Sequence, residues 1–391
     1  MKPSRDLFFA RVYYFAFMGG WGFILPFMNL FYTSLGFNGK QIGLLASVSA
    51  VVGMFASPLW VSEIKKRPQA QRLFQLQIIL GGIGYFLIGH QTAFIPILVI
   101  VFLHSLVAAG VMPLSDSMAV TVAEEAGTGY GNVRVWASLG WIVSLLSSGW
   151  LVEKFGYIAA FSGVTGMWFL GVTAVSFIQA RHFTARSTPE KPKSNLRLAV
   201  QRVLGNRTLL GFALALIVIG FLNSGVLQFE NVFLNELGAS KRLISVAGIL
   251  SAIVELPFMV FSDRIVRRVG PHRLLLVALT LTMFQRLTVL LFPSIITIMI
   301  VRFIGGVAFS FYTISFVQLI STQTDASETG TVLALYTVTI AGLVNIIAAP
   351  VAGAIFDAIG ARWLYLLAAC GYFIGAVSLW FTRPPTPAKT G

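Results

Sequence analysis

The stretch ARHFTARSTPEKPKSNLRLAVQRVLGNRT, Ala180 to Thr208, decides the fold. It is rich in Lys, Arg, Pro and Ser inside an otherwise apolar chain, and six apolar runs lie on each side of it. Before it the runs cover 7–35, 41–62, 72–89, 94–122, 131–152 and 157–180; after it, 207–236, 240–262, 273–292, 294–321, 328–353 and 362–382. A helix needs about 20 apolar residues to cross a hydrocarbon core. Strands of a closed barrel would alternate in polarity over about 10 residues, and these runs do not. The expected fold is therefore all-α and integral to a membrane, with twelve transmembrane helices in two pseudo-symmetric six-helix bundles. The bundles are 1–180 and 207–391, joined by a cytoplasmic linker, 181–206. The second part of that linker places Leu196, Ala199, Val200, Val203 and Leu204 among Arg197, Gln201 and Arg202. That pattern reads either as an amphipathic helix on the inner membrane surface or as a plain solvated connection.

Composition agrees. Hydrophobic residues make up 57% of the 391 and charged ones 11%, against roughly 45–50% and about 25% in soluble domains; the mean hydropathy is +0.83. The formal charge of +14 would suggest nucleic acid in a soluble protein. With the amino terminus inside, however, Lys2, Arg5, Lys65, Lys66, Arg67, Arg72, the linker, Arg264, Arg267, Arg268 and Arg273 all fall on the cytoplasmic side. Outer loops keep only Lys40, Lys154, Lys241, Arg242 and Arg362. This is the positive-inside asymmetry, so the bases orient the chain in a cell inner (plasma) membrane with both termini cytoplasmic and imply no nucleic-acid partner. The first run is too long for a removable signal peptide and shows no small-residue cleavage site. The lone Cys370 excludes an intramolecular disulfide and a cysteine metal site; no metal and no cofactor are expected.

The halves repeat. GWLVEKFG (Gly149 to Gly156) and GAIFDAIG (Gly353 to Gly360) share the pattern G-x-x-x-[DE]-x-x-G after the fifth run of each half. PLWVSEIKKR (Pro58 to Arg67) is echoed by PFMVFSDRIVRR (Pro257 to Arg268) after the second. A parallel duplication of six helices is a transporter architecture.

On these residues the sequence resembles the major facilitator superfamily. SDRIVRRVGPHR (Ser262 to Arg273) looks like the superfamily's loop motif, an acid followed by spaced arginines and a glycine, here Asp263, Arg264, Arg267 and Gly270; its copy in the first half is degenerate. FILPFMNLFYTSLGFNGKQIGLL (Phe23 to Leu45), MPLSDSMAV (Met112 to Val120), YGNVRVWASLGW (Tyr130 to Trp141) and ELPFMVFSDRIVRRVG (Glu255 to Gly270) are similar to the branch that includes lactose permease, nucleoside:proton symporters and phenylpropionate permease.

Six charges are embedded in the runs: Asp116, Glu230, Glu255, Arg134, Arg286 and Arg302. Intramembrane charges are costly and mark solute or ion pathways unless they are structural pairs. Asp116 and Arg134 flank a hairpin centred near Glu125 and should be level, either paired at a polar solute or with Arg134 snorkelling beside Glu124 and Glu125. The resemblance implies the first: in lactose permease an acid and an arginine at this spacing bind sugar, and a tryptophan seven residues on, here Trp141, stacks on it. Glu255 and Arg286 are close enough in depth for a second pair, which would serve proton coupling or static structure. Asn29, Asn223, Gln228 and Asn231 are candidate ligands or interhelix hydrogen bonds. The histidine and glutamate used for coupling in the tenth helix of lactose permease correspond here to Gly305 and Ala308, and its lysine to Arg302. Coupling then falls to Glu255 or Glu230. His104, among Phe102, Leu103 and Leu106, reads as a buried hydrogen-bonding residue.

No phosphate loop, nucleophile elbow or metal-spaced His/Cys cluster supports enzyme chemistry. The expectation is a monomeric secondary transporter that imports a small-molecule substrate, a polar organic solute such as a sugar or nucleoside, with a proton by alternating access. Alternatives are an aromatic-acid importer, a proton-antiport efflux transporter, and a transport-inactive receptor or scaffold.

Overall fold

The computed structural model describes residues 5–184 and 196–382, apart from the side chains at 256, 259, 260, 262, 263, 326 and 327. Every regular element among them is helical: α1 Arg5–Ile24, α2 Met28–Ser34, α3 Gly39–Lys65, α4 Ala70–Gly89, α5 Phe94–Ala108, α6 Val111–Glu125, α7 Gly131–Phe155, α8 Ile158–Ser176, α9 Leu196–Gly205, α10 Arg207–Glu236, α11 Lys241–Val269, α12 Pro271–Leu291, α13 Ile295–Gln323, α14 Ala326–Ala334, α15 Ala341–Ile359 and α16 Ala361–Phe381. Among the described residues, eleven helical segments are long and apolar enough to cross a membrane, counting α1–α2, α5–α6 and α14–α15 as one each. The remaining run, 240–262, is α11, 29 residues long, which contains several of the side chains outside the described set.

The chain divides into two compact units, Met1–Pro189 with Ala239–Ile249, and Glu190–Gly238 with Leu250–Gly391. In the first, α1 packs on α7 and α8, and α4 on α8. In the second, α10 packs on α15 and α16, and α12 on α16. The first helix of each half thus meets the fifth and sixth, and the third meets the sixth. The turns repeat too. Gly156 and Gly360 end α7 and α15 at φ +77° and +80°, and Gly36 and Gly238 follow α2 and α10 at φ +81° and +88°. These positive angles favour glycine because a Cβ would clash, so the same residue recurs at the same turns.

Three runs that read as continuous in the sequence are broken or distorted. Pro26 has no N–H to give the carbonyl of Gly22, and the chain turns at 25–27 between α1 and α2. The freed Gly22 carbonyl accepts from the Ser148 hydroxyl of α7 at 3.5 Å. The second break, between α5 and α6, falls at Ala109 and Gly110. There the Trp60 indole donates to the Leu106 carbonyl at 2.6 Å and the Gln77 amide to that of Val107 at 2.9 Å. A Cβ on Gly110 would lie 2.7 Å from Trp60 Cβ, so glycine lets the capping helix approach. In lipid such carbonyls have no water to turn to, and side chains of neighbouring helices replace it. The third run carries a π-helical segment, Leu335–Ile340, between α14 and α15; Tyr336 there donates to the Leu209 carbonyl at 2.6 Å.

The linker helix forms as α9, with residues 185–195 of the expected linker outside the described set. Ala199 and Val203 are buried in a core with Leu209, Phe212, Phe316 and Tyr336, while Leu196, Leu198, Val200 and Leu204 are exposed. Its polar side is held by Arg202 at 3.0 Å from Asp325 and 3.2 Å from Glu328. These groups are largely exposed, so burial of Ala199 and Val203 contributes more to the docking than the ion pairs do.

Helix contact without a hydrophobic driving force depends on small residues. A Cβ on Gly140 of α7 would lie 2.0 Å from the Phe15 carbonyl oxygen of α1, whereas one on Gly166 of α8 meets nothing within 4 Å. Gly140→Ala is therefore expected to destabilise by about 1–3 kcal/mol or more, and Gly166→Ala to leave stability unchanged. Thermal unfolding of the two purified variants checks this; equal midpoints would contradict the packing account.

Candidate functional site

In the second unit, α10, α12 and α13 bring three embedded charges together. Glu230 projects from α10. One of its carboxylate oxygens accepts from Arg302 Nε of α13, and the other lies 3.3 Å from Arg286 Nη1 of α12. Arg302 Nη2 also donates to the Asn231 side chain at 2.7 Å. The guanidinium of Arg286 stands 5.9 Å from the ring centre of Tyr365 on α16. All three charged side chains are mostly buried, with Glu230 and Arg286 at 14% exposure and Arg302 at 19%. One acid between two bases leaves a local excess of one positive charge. Asn223, two turns before Glu230 on α10, is also buried, and its side-chain oxygen has no partner among the described residues.

The expected pairing of Glu255 with Arg286 is corrected here: Arg286 binds Glu230. Glu255 and Arg286 lie at nearly equal separations from the turn at Gly270, so depth does not keep them apart. The guanidinium instead faces Tyr365 and Glu230. Counting along one hairpin fixes depth and is blind to the face a residue presents to a third helix. Glu255, half-buried on α11, has no ion pair within 4.0 Å among the described residues. Its backbone carbonyl accepts from the Ser310 hydroxyl of α13 at 3.0 Å. Of the loop motif, Arg264 and Arg267 are exposed at the end of α11, Gly270 adopts φ +87° before Pro271 opens α12, and the Asp263 side chain lies outside the described residues.

In the first unit Asp116 sits on α6, half-buried. One carboxylate oxygen accepts from the hydroxyls of Tyr14 on α1 and Tyr130 at the start of α7, both at 2.7 Å. The direct Asp116–Arg134 pair is corrected as well: no contact within 4.0 Å joins them. Tyr130, one turn before Arg134, reaches Asp116 in its place. Arg134 is half-buried on α7, and so is Trp141, whose backbone carbonyl would stand 2.9 Å from a Cβ on Gly22. Asn29, on α2 just past the Pro26 break, lines a cavity within this unit rather than the Asp116 cluster. His104 is packed on the rings of Tyr85 and Trp168, at 4.3 and 6.4 Å.

Tyr14, Tyr130 and Tyr365 join these clusters without being candidates on sequence grounds. Tyr14 is more than a hundred residues from Asp116, and aromatic residues are common in spans, so no spacing betrays it. Tyr130 had a local signal, lying one turn before Arg134.

Removing one partner of a buried pair costs about 3–5 kcal/mol because a charge is left unbalanced. Glu230→Gln, which leaves two buried arginines without a countercharge, is expected to lower the unfolding midpoint strongly, and Arg302→Met, which leaves Glu230 with Arg286, to lower it less. Glu230→Gln with Arg302→Met should lose less than the sum of the single variants, since both partners of the short contact are then uncharged. A double-mutant cycle on the purified chain measures this, and strict additivity would contradict the cluster.

The helix arrangement has known counterparts. A family model described as MFS_1 like family matches residues 8–367. A maltose permease of Geobacillus stearothermophilus is 29% identical over 274 residues, a match spanning 68% of this chain and 66% of that permease. The uncharacterized transporter YwbF of Bacillus subtilis is 25% identical over 91% of this chain and 88% of its own length. Among solved structures, the nucleoside transporter NupG aligns with a TM-score of 0.80 over 99% of this chain and all of its own, at 14% identity, a likeness of fold alone. With its family match running through both halves, the chain belongs to the MFS_1 like family and is a multi-pass membrane transporter of the major facilitator kind.

Proposed function

We propose that the chain is a proton-coupled symporter that imports a small polar organic solute, a sugar or a nucleoside, by alternating access across a cell inner membrane. The maltose and nucleoside transporters among its likenesses support that solute range. The asymmetry of Lys and Arg supports cytoplasmic termini. Asp116, Arg134 and Trp141 in the first unit, and Asn223, Glu230 and Arg302 in the second, are the groups proposed to meet the solute. Arg264, Arg267 and Gly270 are proposed to act in the conformational change, and the working unit is a monomer.

One observation carries the coupling. Glu230 is balanced by two arginines, whereas Glu255 has no countercharge within 4.0 Å among the described residues. A charge in a span is tolerated when paired or neutralised, and a bound proton neutralises Glu255. Arg286, released from Glu230 in another conformation, is the cation able to discharge that proton. A scaffold gains nothing from holding such an acid in lipid.

Glu255→Gln imitates the protonated acid permanently. It should abolish gradient-driven accumulation in proteoliposomes while keeping counterflow, tested with labelled uridine, glucose, maltose and 3-phenylpropionate with and without an inward proton gradient. Undiminished accumulation by Glu255→Gln would remove the role from this residue, and uptake by the wild type indifferent to the gradient would remove proton coupling.

A further inference from the structure

The first unit holds a cavity of about 310 Å³ that the charged clusters do not use. Both broken spans border it: Trp21, Met28 and Asn29 flank the turn at 25–27, and Ala108, Ala109 and Val111 flank the other. Irregular backbone at membrane depth persists where it is buried in protein or lines a cavity, and binding sites favour such interrupted helices.

Its wall is aromatic and polar at once. Trp21, Tyr32, Tyr85, His104 and Trp168 supply flat faces, and the lining contains no Asp, Glu, Lys or Arg. Tyr32 and Tyr85 are only 4% and 7% exposed, and their hydroxyls make no hydrogen bond among the described residues. Trp21 Nε1 and His104 Nδ1, from the same lining, are buried without a hydrogen-bond partner among the described residues. Unpaired polar groups in an apolar interior are costly, and these two border one cavity together with the two phenol hydroxyls.

We infer that this cavity is a binding subsite for an uncharged, single-ring solute with hydroxyl or amide groups on its rim. A net charge would be desolvated there with no counter-ion. The flat walls suit the face of a pyranose or a nucleobase, and the two phenol hydroxyls suit its rim. The volume lies at the small end of ligand pockets, about 300–1,000 Å³, which favours one ring over two. The inference rests on the reading that the chain carries organic solutes and is independent of proton coupling.

The test is equilibrium binding to the purified full chain by calorimetry, without any gradient, using uracil and glucose as neutral probes and 3-phenylpropionate as the charged one. A neutral probe is expected to bind and the carboxylate not to. Which neutral probe binds separates nucleobase from sugar. Tyr32→Phe with Tyr85→Phe keeps both rings, so it should weaken binding about tenfold or more. Gly53→Leu on α3 should abolish binding, since a Cβ there meets nothing within 4 Å and the longer side chain fills the cavity. Gly166→Ala, outside the cavity lining and with open space at its Cβ, should bind as the wild type does, and measuring without a gradient separates this subsite from the coupling proposal. The inference is overturned if neither neutral probe binds, if the Tyr and Gly53 variants bind normally while monodisperse, or if Asp116→Asn alone removes binding.

Discussion

No water reaches the backbone inside a membrane span, and the rest of this structure follows from that constraint. Each carbonyl that a helix break sets free must find a protein donor. Pro26 frees Gly22, and Ser148 answers it; the turn at Ala109 and Gly110 frees Leu106 and Val107, and Trp60 and Gln77 answer them. The donors come from neighbouring helices, so each break fixes the helices around it. Glycines at the contacts, Gly110 and Gly140 above all, let those helices come close enough.

The same constraint sorts the embedded charges. Glu230 is held between Arg286 and Arg302, and Asp116 is held by two phenols, with no base within 4.0 Å among the described residues. Charge-assisted hydrogen bonds are stronger than neutral ones, so both acids are positioned, but by different means. The arginine cluster carries an excess positive charge, whereas the phenol-held carboxylate keeps acceptor capacity on its second oxygen. Glu255 stands apart from both arrangements.

The six-and-six division was legible because hydropathy and the Ala180 to Thr208 interruption act over lengths of a whole helix. The repeated turn was legible because Gly156 and Gly360 need the same positive φ. Helix continuity was not: Pro26 and Gly110 interrupt spans whose apolar composition runs straight through them, and composition does not register a missing N–H. The site was half legible. Embedded charges announce themselves in an apolar chain, so Asp116, Glu230, Glu255, Arg134, Arg286 and Arg302 were found. Their partners were not, because Tyr14 with Asp116 and Glu230 with Arg286 meet across helices distant in sequence. Spacing along a hairpin gives depth, and pairing also needs the azimuth of each helix.

Coupling of solute to proton movement is tested most directly by a pH electrode in a weakly buffered suspension of proteoliposomes, with no gradient imposed, as a transported solute is added outside. Symport predicts that the outer medium turns alkaline as solute enters, in proportion to the solute taken up. Solute entry with no pH change, or acidification of the outer medium, would contradict it.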